Sequence, residues 1–188
     1  MKENCHYSHI IYNLVIKVLN NPLTDSYLEF KKKILDDHFP WYFNNDVSKQ
    51  EFNSDNNVFY YGHTFFTRPE VDGFSQPSSK YFELGFRVMR EILTENNYDS
   101  KKYFLLRMNS NCLLPSNSAE FSTSHIDHDF PHLNFLLYLT GSGGSTFVES
   151  EENKPEEDQA IIFSGNHYMQ LPKKGRRIVL ISTFMFHS

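Results

Sequence analysis

A mainly β chain with helices packed on its outside is the fold class this sequence predicts, and three observations carry the expectation. Aromatic residues make up 16% of the 188 positions, with eighteen Phe and eleven Tyr, and large rings suit a pleated, half-buried surface and fill a β core. The C-terminal half holds short apolar runs, NFLLYLT, AIIF and IVLIST, separated by Gly-rich or charged turns, which read as buried strands. Helical periodicity, by contrast, falls mainly in the N-terminal half.

In chain order, Ser8 to Asn20 places Ile10, Ile11, Leu14, Val15 and Val18 at near-helical spacing, which predicts an amphipathic helix. Asn20, Asn21 and Pro22 then stop it. Ser26 to Asp36 reads as a second helix, or a helix–strand mixture, with Tyr27, Phe30 and Ile34 as its buried stripe. HFPWYF carries the one Trp, Trp41, as an aromatic plug in the core. Asn44 to Asn57 is Asn/Asp-rich and predicts a surface loop. Val58 to Phe66 predicts a strand, with His63 as a hydrogen-bonded structural residue rather than a ligand. Thr67 to Ser79 has two prolines and a glycine and predicts a loop bordering a site. Lys80 to Asn96 is the clearest helix. Phe82, Phe86, Met89 and Leu93 make one stripe and Leu84, Val88 and Ile92 a second, so a broad face packs against the main sheet.

Tyr103 to Met108 predicts a strand, followed by RMNSN, and Leu113 to Ser124 a polar loop leading into His125. His125 and Asp127 flank Ile126. On a strand, residues two apart share a face about 6–7 Å from one another and can converge on one ion. His167, in the strand-like run AIIFSGNHYM, supplies a third donor. Two imidazoles and one carboxylate on one side of an ion, with other positions open, form the facial triad of non-haem Fe(II) sites. The neighbours His128, Asp129 and His132 compete for the ligand role. A continued strand turns His128 away from Asp127, and Pro131 breaks the strand before His132, so these are read as loop residues. The acidic stretch Glu149 to Asp158 predicts a solvated hairpin connection, since it lacks the spaced ligands and central glycine of a Ca2+ loop.

The progression H-x-D (His125, Asp127), Y-L (Tyr138, Leu139), G-G-x-T (Gly143, Gly144, Thr146), His167 and a late Arg resembles the 2-oxoglutarate and Fe(II)-dependent oxygenases. The likeness is to their small prolyl-4-hydroxylase-like group of phage and bacterial type, and it covers roughly positions 103 to 184. FPWYF and FYYGHTFF look like the N-terminal part of such proteins. The resemblance implies a double-stranded β-helix, a jelly-roll barrel with the metal inside one mouth. It implies Fe(II) on His125, Asp127 and His167, and 2-oxoglutarate as co-substrate with O2, with ascorbate as a supporting reductant. By the family pattern of a glycine, one variable residue and a basic residue, Arg177 takes the far carboxylate of 2-oxoglutarate and Arg176 faces outward. Tyr138 is expected to donate to the same carboxylate. Asn111 resembles an Asn near the co-substrate, beside Arg107, and Gly143, Gly144 and Thr146 are expected to serve turn geometry. Relatives that halogenate carry a small residue at the position of Asp127, so the carboxylate there implies hydroxylation of an unactivated C–H.

The whole chain, 188 residues, is read as one oxygenase domain. An N-terminal helical and aromatic segment spans 1–57, and strands, the helix over 80–96 and the jelly-roll core span 58–186. A net charge of −5 and a pI near 6.0 do not favour a nucleic-acid backbone as partner, and Lys31 to Lys33 read as a solvated helix face. Cys5 and Cys112 lie far apart and form no metal pattern, and no apolar run reaches membrane length, which predicts a soluble cytoplasmic protein. The primary substrate stays open among a protein side chain, an amino acid, a nucleobase and a metabolite. Two other readings keep the metal residues: a binding jelly roll without oxygenase activity, and a cupin-type metalloenzyme that uses no keto acid.

Overall fold

The structure, a computed structural model, describes residues 15–45, 58–99, 101–116 and 119–186. Its centre is a seven-stranded antiparallel sheet facing a three-stranded one. In chain order the strands and helices are β1 (Ile16–Leu19), α1 (Asp25–Leu35), β2 (Tyr42–Asn44), β3 (Tyr60–Phe66), α2 (Pro69–Asp72), α3 (Phe82–Glu95) and β4 (Tyr103–Leu113). Then follow β5 (Leu133–Tyr138), β6 (Thr146–Val148), β7 (Glu151–Asn153), β8 (Ala160–Phe163), β9 (His167–Met169) and β10 (Arg177–Phe186). The large sheet runs β1-β8-β5-β10-β4-β3-β2 and the small one β7-β6-β9. From β5 onward the chain crosses to the small sheet for β6 and β7, returns for β8, crosses again for β9 and returns for β10. This alternating winding is the double-stranded β-helix expected from the motifs. Bridges Phe121↔Gln170 and His125↔His167 add an irregular fourth line to the small sheet beside β9.

Strand β10 is the spine of the large sheet. It pairs with β4 (Val179↔Asn111, Ile181↔Asn109, Thr183↔Arg107) and with β5 (Val179↔Tyr138, Ile181↔Leu136, Thr183↔Asn134). Side chains alternate between faces, and the sequence sorts them. Ile178, Leu180 and Phe184 join Phe135, Leu137 and Met108 on the face that α1 and α3 cover. Val179, Ile181, Leu136 and Tyr138 face the small sheet and meet its Val148. The functional face is this second one.

The helices predicted over 26–36 and 80–96 form where their stripes fall. In α1, Tyr27, Phe30 and Ile34 are buried, and Thr24 caps the N-terminus by accepting from the Tyr27 amide. In α3, Phe82, Val88, Met89, Ile92 and Leu93 are buried, and Phe86 and Leu84 pack at the margin. Gly85 lets α3 settle close, since a Cβ there would come within 3.1 Å of Phe30 and 3.4 Å of Met108. Phe39 and the half-buried Trp41 stack edge to face (4.9 Å) as part of the same core. His63 is structural as expected. Its Nδ1–H donates to the Pro40 carbonyl (2.8 Å), and its Nε2 accepts from the Ser79 hydroxyl (2.8 Å).

Several expectations are corrected. Within the predicted helix over 8–20, Ile16–Leu19 forms β1, paired antiparallel to β8; residues 8–14 lie outside the described residues. The open edge of β8 offers backbone partners, and β-branched Ile16 and Val18 suit a strand. Val18 is exposed, so the stripe it belongs to is not a core face. The predicted loop over 44–57 begins inside β2, and 46–57 lie outside the described residues. The loop over 67–79 holds the single turn α2, started by Pro69 and closed by left-handed Gly73. The strand predicted over 103–108 continues to Leu113 because β10 pairs along its whole length and β3 pairs with Met108 to Cys112. In the acidic stretch, Glu151–Asn153 pairs with β6, and Glu157 and Asp158 clasp Lys31, so that lysine is half-buried and only Lys32 and Lys33 are solvated.

Candidate metal centre

The H-x-D segment does not lie on a continuous strand. His125 and His167 face one another as a reciprocal backbone pair, His125 N–H to His167 O at 3.0 Å and His167 N–H to His125 O at 2.9 Å. After that bridge the chain bends at Asp127. The bend, rather than pleat alternation, turns the carboxylate back toward the imidazoles while Ile126 stays exposed. The two rings sit 4.5 Å apart by centroid, and one donor atom from each of His125, Asp127 and His167 lies within 4.8 Å of the others.

The tautomers follow from the partners. His125 Nδ1 lies 3.1 Å from the Thr123 carbonyl and His167 Nδ1 3.2 Å from the Gly165 carbonyl. A carbonyl can only accept, so both Nδ1 atoms carry a proton, which leaves Nε2 as the nitrogen of each ring available to a metal. Burial pushes the His167 pKa down to about 4, against the pull of Asp127, so its ring is neutral near pH 7. Asp127 stays ionised although burial opposes it, because Arg107, then His167, His125 and Arg68, hold its carboxyl far below the usual range. Its Oδ2 is buried with no hydrogen-bond partner and lies 3.5 Å from His167 Nε2. Two imidazoles, each with Nδ1 held by a backbone carbonyl, and an ionised carboxylate with an unused oxygen fit a divalent first-row metal.

Arg107 from β4 reaches Asp127 Oδ1 at 2.8 Å. Arg68, ahead of α2, reaches the same oxygen at 3.4 Å and the Asp127 carbonyl at 3.2 Å. Beside them the buried His128 bridges Glu70 and the Thr183 hydroxyl, and burial lowers its pKa.

Further along the same sheet face is a second constellation. Arg177 is fully enclosed, with burial working against its charge, and its Nη2 donates to Thr146 Oγ1 at 2.9 Å. Thr146 Oγ1 lies 2.7 Å from the Tyr138 hydroxyl, and the guanidinium carbon sits 5.4 Å from the Tyr138 ring. Asn153 donates to the Tyr138 oxygen at 3.2 Å. No carboxylate of the described residues pairs with Arg177, and its Nε is buried without an acceptor. Arg176 is exposed. Gly144 holds the turn before β6 against the chain after β9; a Cβ there would lie 1.7 Å from the Gln170 carbonyl oxygen.

The structure thus brings His125, Asp127 and His167 together, and Arg177 and Tyr138 together. Asn111 lies on the same face, across Val179 from Tyr138, with its Oδ1 taken by Asn109 at 2.6 Å. Sequence reasoning missed Arg68 and the Glu70–His128–Thr183 chain, and it assigned Thr146 to turn geometry alone. The G-G-x-T spacing carried the signal for Thr146, because its β6 position points the hydroxyl inward. Nothing local marks Arg68.

No family model and no curated protein matches the chain. Solved structures do. A 2OG-Fe(II) oxygenase family oxidoreductase from Burkholderia pseudomallei superposes with a TM-score of 0.56 at 15% identity, over 79% of this chain and 74% of that one. The non-heme alpha ketoglutarate dependent epimerase SnoN from nogalamycin biosynthesis gives 0.56 at 10% identity, over 96% and 81%. A Pseudomonas putida prolyl-4-hydroxylase gives 0.50 at 13%, over 94% and 93%. At these identities the likeness is one of fold.

Proposed function

We propose that this chain is an Fe(II)- and 2-oxoglutarate-dependent oxygenase acting on an unactivated C–H bond, with residues 1–188 serving as one catalytic domain. One observation supports the reading above the others. A buried guanidinium without a carboxylate partner, and a His/Asp/His set with an unpartnered carboxylate oxygen, both lie between the two sheets. A dicarboxylate that chelates a metal at one end and needs a cationic partner at the other matches that pair of features.

In this reading His125 Nε2, His167 Nε2 and an Asp127 oxygen hold the iron and leave positions for 2-oxoglutarate and O2. Iron with the keto acid supplies the oxidising chemistry, consuming 2-oxoglutarate to succinate and CO2 as the C–H bond is attacked. The protein's own part is placement. Thr123 and Gly165 carbonyls fix the imidazole tautomers, and Arg107 fixes the carboxylate. Arg177, steered by Thr146 and Tyr138, fixes the far end of the acid. Leu136, Val179 and Ile181 keep water from the floor between the two constellations. A reducing cytoplasmic compartment suits this chemistry and the buried Cys112 thiol, whose pKa burial raises. Among the described residues no helix is long and apolar enough to cross a membrane.

Succinate release with Fe(II), ascorbate, O2 and 2-oxoglutarate tests the reading. Wild type should exceed both Arg177→Ala and Asp127→Ala, and an equal background in all three would end it. The fold is shared with an epimerase, so the same assay should also look for a second outcome, hydrogen removal and return without oxygen insertion. Product mass separates the two: hydroxylation adds one oxygen and epimerisation adds nothing.

A further inference from the structure

Two guanidinium groups stand over one carboxylate. Arg107 and Arg68 both address Asp127 Oδ1, and each has a buried Nε–H with no acceptor. The other nearby acid, Glu70, is occupied by His128. The imbalance grows when the site is loaded, because a carboxylate bound to a dication has little charge left for its arginines. The floor beside them is polar as well. Across Thr183 from Arg107 lies Asn134, fully buried, with neither amide atom partnered. Structural arginines that merely oriented Asp127 would not need two forks for one oxygen, nor an unpartnered amide alongside.

We propose that Arg68 and Arg107 form a subsite for an oxyanion of the primary substrate, a carboxylate or phosphate group held beside the metal ligands. This rests on the oxygenase reading, in which the carboxylates of 2-oxoglutarate go to the metal and to Arg177 and leave these two arginines for a different molecule. A planar guanidinium offers paired N–H donors to either kind of oxyanion. The substrate class is therefore a small anion: its charged end docks at Arg68 and Arg107 and fixes which C–H faces the metal.

The test uses the full chain loaded with Mn(II) and 2-oxoglutarate without oxygen, so that nothing turns over. Thermal unfolding is followed while acetate, inorganic phosphate, or sodium chloride at matched ionic strength is added, with acetamide as the uncharged control. Saturable stabilisation is expected with acetate or phosphate and none with acetamide. Arg68→Gln should weaken half-saturation by about tenfold or more, the effect of losing a charged hydrogen-bond partner, and Arg68→Lys should fall between. The better of the two anions says whether the substrate group is a carboxylate or a phosphate. The 2-oxoglutarate affinity of the Mn(II)-loaded chain, measured by calorimetry, should be unchanged in Arg68→Gln. Three results overturn the subsite: anions no better than chloride, an Arg68→Gln response equal to wild type, or a selective loss of 2-oxoglutarate affinity in that variant. If wild type binds Mn(II) and 2-oxoglutarate but ignores the anions, this inference alone fails. A wild type that binds neither takes down the oxygenase reading and this one with it.

Discussion

At the scale of single residues, one hydroxyl organises the proposed keto-acid pocket. Thr146 Oγ1 accepts from Arg177 and contacts the Tyr138 hydroxyl, so it fixes the direction of a guanidinium that otherwise has no carboxylate partner among the described residues. Thr146→Val keeps the volume and removes that atom. A lost hydrogen bond to a charged group costs about 1.5–3 kcal/mol, so calorimetry with Mn(II) present should show 2-oxoglutarate bound more than tenfold weaker, with Mn(II) affinity unchanged. An equal affinity would mean that Thr146 serves only the turn, as the sequence motif alone implied. The residue scale is also where the sequence was most legible. His125, Asp127, His167 and Arg177 are chemically distinctive and sit at readable spacings. Arg68 is not readable, since it meets Asp127 from 59 positions away with no pattern around it.

Elements were legible in proportion to their length and period. Helices α1 and α3 show complete stripes, and their buried residues are the ones the spacing singles out. Strand β1 has only four residues, and a run that short carries no period to separate strand from helix. The H-x-D segment was expected to be a strand and is instead a bridge followed by a bend, because its geometry is set by the reciprocal pair with His167, a tertiary contact. The turn into β6 makes a sharp prediction at this scale. Gly144→Ala would drive a Cβ into the Gln170 carbonyl, whereas a Cβ at Gly143 meets nothing within 4 Å. Backbone against backbone cannot relax by a rotamer change, so Gly144→Ala should cost at least about 2 kcal/mol in urea unfolding. Gly143→Ala should stay within about 0.5 kcal/mol of wild type. In α3, Met89 is fully buried, and Met89→Ala should cost about 2–5 kcal/mol by the same measurement.

For the whole molecule, acid should be more damaging than the modest net charge implies. Burial lowers the pKa of His63, His128 and His167 from 6.5, so all three favour the neutral form in the folded state. The unfolded chain then binds more protons below that value, and stability is complete above it and lost as pH falls toward the folded values. Urea midpoints of the metal-free protein should therefore drop as pH falls from about 6.5 toward about 4. His63→Gln, remote from the metal residues and framed by Phe39, Tyr42, Phe65 and Tyr81, should flatten that slope. An unchanged slope would place the proton uptake elsewhere.

The enclosure of Arg177 bears on how long the protein survives. A cation sealed from water with only neutral oxygens for company weakens the empty form, and an acid that reaches it stabilises the folded state according to its concentration. Protease resistance should therefore climb as 2-oxoglutarate is supplied and ebb when it is scarce, which would tie the abundance of this protein to the carbon status of the cell that makes it.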